Sequence, residues 1–355
     1  MRRLLTLILP GTASIAFFLL CGCALQTYFP PADPSLPNAV AIDRALHLCS
    51  LTQGEQPFHL VLSIAPPEHA PADMSAQIEL FWLNAVTYRI VIRSRDFSQI
   101  RIVNGSVVEE HDTGGFYPRW IQNFVDALLN PVPSLNALRK VPGAIPIGTA
   151  AHACISTADP ALSAASDTPA QEQDPARMER ICFQDAEPKI VSTLSFSRSI
   201  WFDDFAPFGP QLVPYTLVNA LPAKLRLRGH IIRLERLAQA DEKLLKTREL
   251  TLPPRQMLTT LVSESRARSL LLYPSDASLH VPQANDSLTI YVRTDRSGHV
   301  REAYRATSDN GADLYATQDS VLRRALTFQF KPLVINGIPF QMEAPLRISS
   351  KFNPR

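Results

Sequence analysis

The chain has 355 residues, with 35 basic and 33 acidic side chains, 13 glycines, 30 prolines and five cysteines. That length allows two domains with cores of their own, at about 100–200 residues each. The near balance of charge offers no field for nucleic acid, and so few glycines beside so many prolines argue against a glycine-rich nucleotide fold and for extended strands with rigid joints.

At the amino terminus Arg2-Arg3 precede an apolar stretch from Leu4 to Leu20, broken by Pro10-Gly11, which is long for an export signal and short for a membrane span. Residues 1–22 hold two arginines and no acid, so the rest of the chain is formally neutral, 33 basic against 33 acidic. The stretch ends in Leu20-Cys21-Gly22-Cys23, which resembles a bacterial lipobox. The resemblance implies a signal peptide over 1–22 and lipidation of Cys23. Cleavage after Ala24 and an uncleaved anchor are the alternatives. Ala24 after the cysteine resembles outer-membrane sorting. Several acyl chains, at roughly 0.8 kcal/mol per buried CH₂, would hold such a chain on a bilayer, facing the periplasm. Residues 23–37, with four prolines between Tyr28 and Pro37, read as a stiff tether.

Residues 38–252 are expected to form one domain. A short helix from Asn38 to Leu51 leads into runs at Phe58–Ile64, Gln77–Trp82, Thr87–Ser94 and Ser98–Val103, whose brief joints demand an antiparallel sheet. After Asn104-Gly105, Trp120, Phe124, Val125 and Leu128 mark one helix face. Residues 155–181 have the composition of a loop insert, and Cys154 and Cys182 flank it. A bridge between them would add about 3 kcal/mol in an oxidising compartment; buried free thiols are the alternative, and Cys49 fits that description. Further strands are expected at Lys189–Ile200, Pro210–Leu217, Lys224–Arg236 and Leu244–Leu252. The strand order, Phe81 to Arg89, Gln99 before Asn104-Gly105, and Cys182-Phe183-Gln184-Asp185 resemble the half-barrel of the lipoprotein carriers LolA and LolB. That resemblance implies a curved sheet whose concave apolar face shelters acyl chains. The alternative is a concave face filled by its own helix, with Trp120 and Phe124 as core.

Residues 253–355 are expected to form a second unit. After Pro253-Pro254, Arg255–Ser265 reads as a connecting helix. Leu288, Ile290 and Val292 alternate with polar neighbours in a half-buried strand, Asp295-Arg296-Ser297-Gly298 turns, and a return strand runs from Val300 to Thr307. Helical spacing follows between Asp313 and Phe328, Lys331-Pro332 ends it, Asn336-Gly337 makes a tight hairpin, and a long strand closes the chain. In that strand Phe340, Met342, Ala344, Leu346 and Ile348 should face the core and Gln341, Glu343, Pro345 and Arg347 water. Tyr273-Pro274, the Asp295–Val300 hairpin and Phe328–Pro332 resemble the TonB C-terminal domain. The resemblance implies an αβ module in support of outer-membrane transport that binds a peptide or transporter by strand addition. Gln341, Glu343, Arg347 and Ser349 would make the contacts, with Pro345 unable to donate.

Catalytic signals are poor. Asp112-Thr113-Gly114-Gly115 follows Glu109-Glu110-His111 instead of an apolar strand and reads as a turn, Asp203-Asp204 reads as a solvated bend, and the eight histidines form no metal or nucleophile motif. The expectation is an α+β, non-enzymatic envelope protein without metal or cofactor. Its partners would be a protein or peptide, a membrane through a lipid anchor, and a lipid if the sheet is hollow, with no nucleic acid.

Overall fold

The computed structural model describes residues 37–54, 56–66, 74–132, 138–147, 150–157, 179–184, 189–195, 198–220, 226–237, 259–273, 287–305 and 319–349. The expected lipidation site Cys23 and the strand expected at Leu244–Leu252 lie outside them.

The first unit opens with α1 (Pro37–Cys49) and a short helical turn, Leu51–Gln53. Five strands then meander outward: β1 (Phe58–Ala65), β2 (Ala76–Asn84), β3 (Thr87–Ser94), β4 (Ser98–Asn104) and β5 (Val107–Thr113). The helix α2 (Arg119–Leu129) carries the chain to the opposite edge. From there β6 (Leu138–Ile147), β7 (Ala150–Thr157), β8 (Glu179–Gln184), β9 (Lys189–Ser195), β10 (Arg198–Phe208), β11 (Gln211–Ala220) and β12 (Arg226–Arg236) meander back, and β12 pairs with β1. The result is one open, curved antiparallel sheet of twelve strands, with β5 and β6 at its edges. A helix joining the two edges has to lie across a face. Gly229 in β12 marks where it lies, because a Cβ there would sit 2.8 Å from the Phe124 ring and 3.2 Å from Leu62.

The alternation of β1 explains the layering. Phe58, Leu60, Leu62 and Ile64 enter the core with Trp120, Ile121, Phe124 and Val125 of α2. His59, on the other face, stacks on Phe81 at 4.2 Å and bonds Glu235 at 2.8 Å and Glu79 at 3.0 Å. It is a structural histidine, satisfied on both ring nitrogens.

Three corrections fall in this unit. The strand expected at Lys189–Ile200 is two, β9 and β10, which pair antiparallel from Ser195 and Arg198. The expected insert at 155–181 is shorter, because β7 and β8 extend into it and pair Ile155 with Ile181, whose side chain is core. Moreover β5 and β6, for which the sequence predicts no strand, are the edge strands. The mixed composition of β5 is what an edge tolerates.

The second unit has its own core. It comprises β13 (Thr259–Leu261), α3 (Glu264–Leu270), β14 (Leu271–Tyr273), β15 (Ser287–Thr294), β16 (Val300–Arg305), α4 (Asp319–Ala325), β17 (Gln329–Phe330), β18 (Leu333–Ile335) and β19 (Ile338–Ser349). The hairpin, the helix after it, the Asn336-Gly337 turn and the long last strand stand where the sequence places them. The connecting helix does not: Thr259–Leu261 is a strand, and α3 starts after Ser263, whose hydroxyl accepts the Arg266 N–H at 3.3 Å.

That extra strand changes the sheet. β13 runs parallel to β19 and pairs Thr259–Leu261 with Gln341–Glu343, while β15 pairs with Glu343–Ser349 on the opposite side. The final strand is therefore interior at Gln341–Glu343, where the rim expected to recruit a partner strand is occupied by β13, and further along Glu264 and Arg268 bond the main chain of Arg347. Pro345 fits because Arg347, of the same parity, sends its N–H to Glu264 at 2.9 Å. The donor that proline lacks would point to the side where β13 has already ended.

Candidate functional site

Two features stand out on this scaffold, an apolar cleft in the sheet unit and a buried polar junction between the units. The cleft lies where the end of α1 and the turn after it meet α2 and strands β9 to β12. Leu51, Leu128, Ile190, Phe202, Leu217 and Ile231 line it. The space between its walls, open mouth included, is about 420 Å³, whereas the cavity proper is only about 30 Å³. On a scale where one ordered water needs about 10–15 Å³, that holds about two or three waters and no chain. The helices thus fill most of the face, and the cleft is the seam they leave.

Few polar ties close the seam. Gln211 Nε2 donates to the carbonyls of Ser50, at 2.5 Å, and His47, at 3.1 Å, at the end of α1. The Thr52 hydroxyl donates to the Leu129 carbonyl at 2.9 Å, joining that turn to the end of α2. Ala45, Leu46 and Cys49 supply the apolar contact of α1.

The junction holds the other end of α2. The backbone N–H of Arg119, in the first turn of the helix, points at the Glu302 carboxylate, with 3.1 Å to each oxygen. Its guanidinium reaches Glu343 at 3.0 Å. Gln341 answers both backbone groups of Tyr117, accepting from N–H at 3.1 Å and donating to C=O at 2.9 Å. Arg293, fully buried, donates to Gln122 and, at 2.9 Å, to Thr259 Oγ1, and lies 3.8 Å from Glu343 and 3.9 Å from Glu302. Phe116 receives Arg293 and Arg301 at 5.9 and 5.7 Å from its ring centroid. Tyr304 donates to Glu343, and Arg296 pairs with Asp112 at 3.6 Å.

Burial shapes the protonation of this set. Desolvation pushes the Glu302 carboxyl above its ordinary range despite Arg293. Desolvation would do the same to Glu343, but Arg119, then Arg293 and the Tyr304 hydroxyl, hold it below. Burial and the neighbouring Glu343 charge raise Tyr304, so its O–H stays a donor.

The contact residues expected on the last strand are accordingly placed otherwise. Gln341 and Glu343 are buried in the junction, the exposed Arg347 pairs with Glu264 at 2.7 Å, and Ser349 lies opposite Ser287 in the ladder. At Gln341 and Glu343 the face read as wet is covered by the first unit. Asp112, of the Asp-Thr-Gly-Gly run, is a buried junction residue, with Gly114 at φ 100° in the turn after it. Asp203 is exposed, and Asp204 accepts from Thr216. Among the described residues no group of three or more His, Cys, Asp or Glu is placed to hold a metal ion, and no helix is long and apolar enough to cross a membrane. Cys182 is disulfide-bonded and stands opposite Cys154 in the β7–β8 register, while Cys49 is free and buried.

Tyr117, Arg119, Arg293, Glu302 and Tyr304 escaped sequence reasoning. Only one signal pointed to them: Arg293 faces Glu302 across the β15–β16 hairpin, an opposite-charge cross-strand pair.

No family profile matches the chain, and no curated protein does. Among solved structures it is similar to a LolA superfamily protein from Nitrosomonas europaea, at 8% identity and TM-score 0.35, over 59% of this chain and 96% of that one. It is also similar to a DUF1329 family protein from Desulfovibrio piger, at 7% identity and TM-score 0.36, over 58% and 95%. The Pseudomonas aeruginosa MucA/MucB complex aligns at 12% identity and TM-score 0.24, over 59% and 60%. Nothing in these comparisons shows a TonB C-terminal domain.

Proposed function

We propose that this chain is a non-enzymatic protein of the bacterial envelope that shelters the acyl portion of a lipid or lipoprotein between its large sheet and the helices α1 and α2. The observation that carries the reading is the seam of Leu51, Leu128, Phe202, Leu217 and Ile231, an apolar cleft closed on one side by the end of α1, which Gln211 ties down. Ligand sites are concave, mostly apolar and supplied with few polar groups, and this cleft has that make-up. The structure is then the closed form, and loading requires the end of α1 to lift. Envelope placement is supported by the lipobox-like residues 20–23 and by a disulfide at Cys182, a bond of oxidising compartments. Lipidation of Cys23 and outer-membrane sorting belong to the same reading.

The test titrates the full chain with a fluorescent long-chain fatty acid. Saturable binding is expected, weakened about tenfold or more by Leu128→Trp, which plugs the mouth, and untouched by Val107→Trp on the exposed edge. Absence of saturable binding in the parent chain, or binding indifferent both to Leu128→Trp and to a second plug, Val213→Trp, would sink the proposal.

A further inference from the structure

The last strand begins outside its sheet. β15 pairs with β19 only from Glu343 onward and β13 only at Gln341–Glu343, so Ile338–Phe340 are held by β18 alone. The outcome is a two-stranded ribbon projecting past the second core, closed by Asn336 at φ 52° and Gly337 at φ 80°, the signs of a type I′ turn. Leu333 anchors its base in the core. Beyond that, Val334, Ile335 and Ile338 are 51%, 37% and 48% exposed, and Pro339 is exposed with them. A solvated hairpin has no need of three neighbouring β-branched apolar side chains at its tip.

Charge in this part of the chain is mostly of one sign: among the described residues 320–349 four side chains are basic, Arg323, Arg324, Lys331 and Arg347, and the single acid, Glu343, is buried in the junction. Arg323 on α4 and Lys331 just before the ribbon are exposed. We infer that the 334–339 tip enters the interfacial layer of an anionic bilayer, with Val334, Ile335 and Ile338 at the acyl boundary and the surrounding bases against the lipid phosphates. Pro339 helps, since it has no N–H to strip of water. A protein partner fits less well. β18 is three residues long and gives an added strand few main-chain bonds, while the apolar side chains crowd the tip. This inference does not depend on the cleft, and its test reads the tip alone.

The experiment adds a tryptophan to the full chain by Ile338→Trp and follows the extra emission over the three native tryptophans. Vesicles are phosphatidylcholine with or without phosphatidylglycerol, with bromine on the acyl chains as quencher. The added emission is expected to fall about twofold or more on the phosphatidylglycerol vesicles, and far less on phosphatidylcholine alone or after Arg323→Glu with Lys331→Glu. Val334→Trp should behave alike, which guards against a local effect of one substitution. Emission unquenched at both positions while the chain sediments with the vesicles overturns the inference, as does quenching indifferent to lipid charge. Protection from aqueous iodide that appears only with rising chain concentration, or only on adding envelope proteins, shows a protein contact instead and overturns it too.

Discussion

Arg293→Met tests the junction most directly. The substitution keeps an unbranched chain of similar length in β15 and removes the charge. It leaves Glu302 and Glu343 without a guanidinium at 3.9 and 3.8 Å, and Gln122 and Thr259 Oγ1 without their donor. Because Arg293 is wholly buried, solvent cannot replace it. Breaking a buried charge set by deleting one partner costs about 3–5 kcal/mol. At roughly 2–4 °C per kcal/mol for units of this size, the transition that contains the junction should fall by about 6–20 °C in calorimetry. Adding Glu302→Gln and Glu343→Gln should recover a good part of the loss, because carboxylates that have lost one of their buried cations cause most of it. A loss under about 1 kcal/mol, or an equal loss in the Gln/Gln background, would refute the reasoning.

The junction should also titrate. Glu302 is raised by burial, so its contribution is complete below the ordinary carboxyl value of 4.5 and fades as pH rises through its folded value; Glu343 is lowered, so its contribution is complete above 4.5 and fades as pH falls. Thermal midpoints should therefore peak near pH 4.5 in this contribution, and Glu302→Gln should flatten the alkaline limb alone, a result that a fall of equal size in that variant would contradict. Gly229→Ala, whose new Cβ would press on Phe124 at 2.8 Å, should lower the urea midpoint by the equivalent of about 1–3 kcal/mol; a neutral result would mean that α2 does not rest on β12. Peptide mapping without reduction should find Cys182 joined to Cys154, with reduction costing about 3 kcal/mol, and a free Cys182 would remove the bridge from the account.

Strand periodicity carried most of the fold. Phe58 to Ile64 alternates core and non-core side chains because one face packs on helices, and Asn104-Gly105 and Asn336-Gly337 mark hairpins because those residues tolerate positive φ. The edge strands were less legible. Val107–Thr113 reads Val-Val-Glu-Glu-His-Asp-Thr; Glu110 and Thr113 are hydrogen-bonded by β4 and Asp112 is ion-paired with Arg296 of the second unit, which no local pattern reveals. The candidate contact residues failed for a related reason. Alternation separates a strand's two faces but does not say whether the polar one meets water or another domain, and Gln341 in solvent looks like Gln341 between the two backbone groups of Tyr117.

That ambiguity decides what the second unit does. A strand with one free edge is a docking device, whereas a strand paired with β13 and β15 is scaffold, and its polar face becomes the means by which one domain holds another. Here the held element is α2. Its first turn is fixed from the second unit through Glu302 and Glu343, and its last turn is tied by Thr52 to the segment that closes the cleft. A displacement of the end of α1 can therefore be resisted, or transmitted, through a single eleven-residue helix. Coupling of this kind requires α2 to have two arrangements biased by both ends. Weakening the junction with Arg293→Met should then change acyl-probe affinity although Arg293 does not line the cleft. An unchanged affinity in a variant shown to be folded would leave the second unit as an anchor for the helix and nothing more.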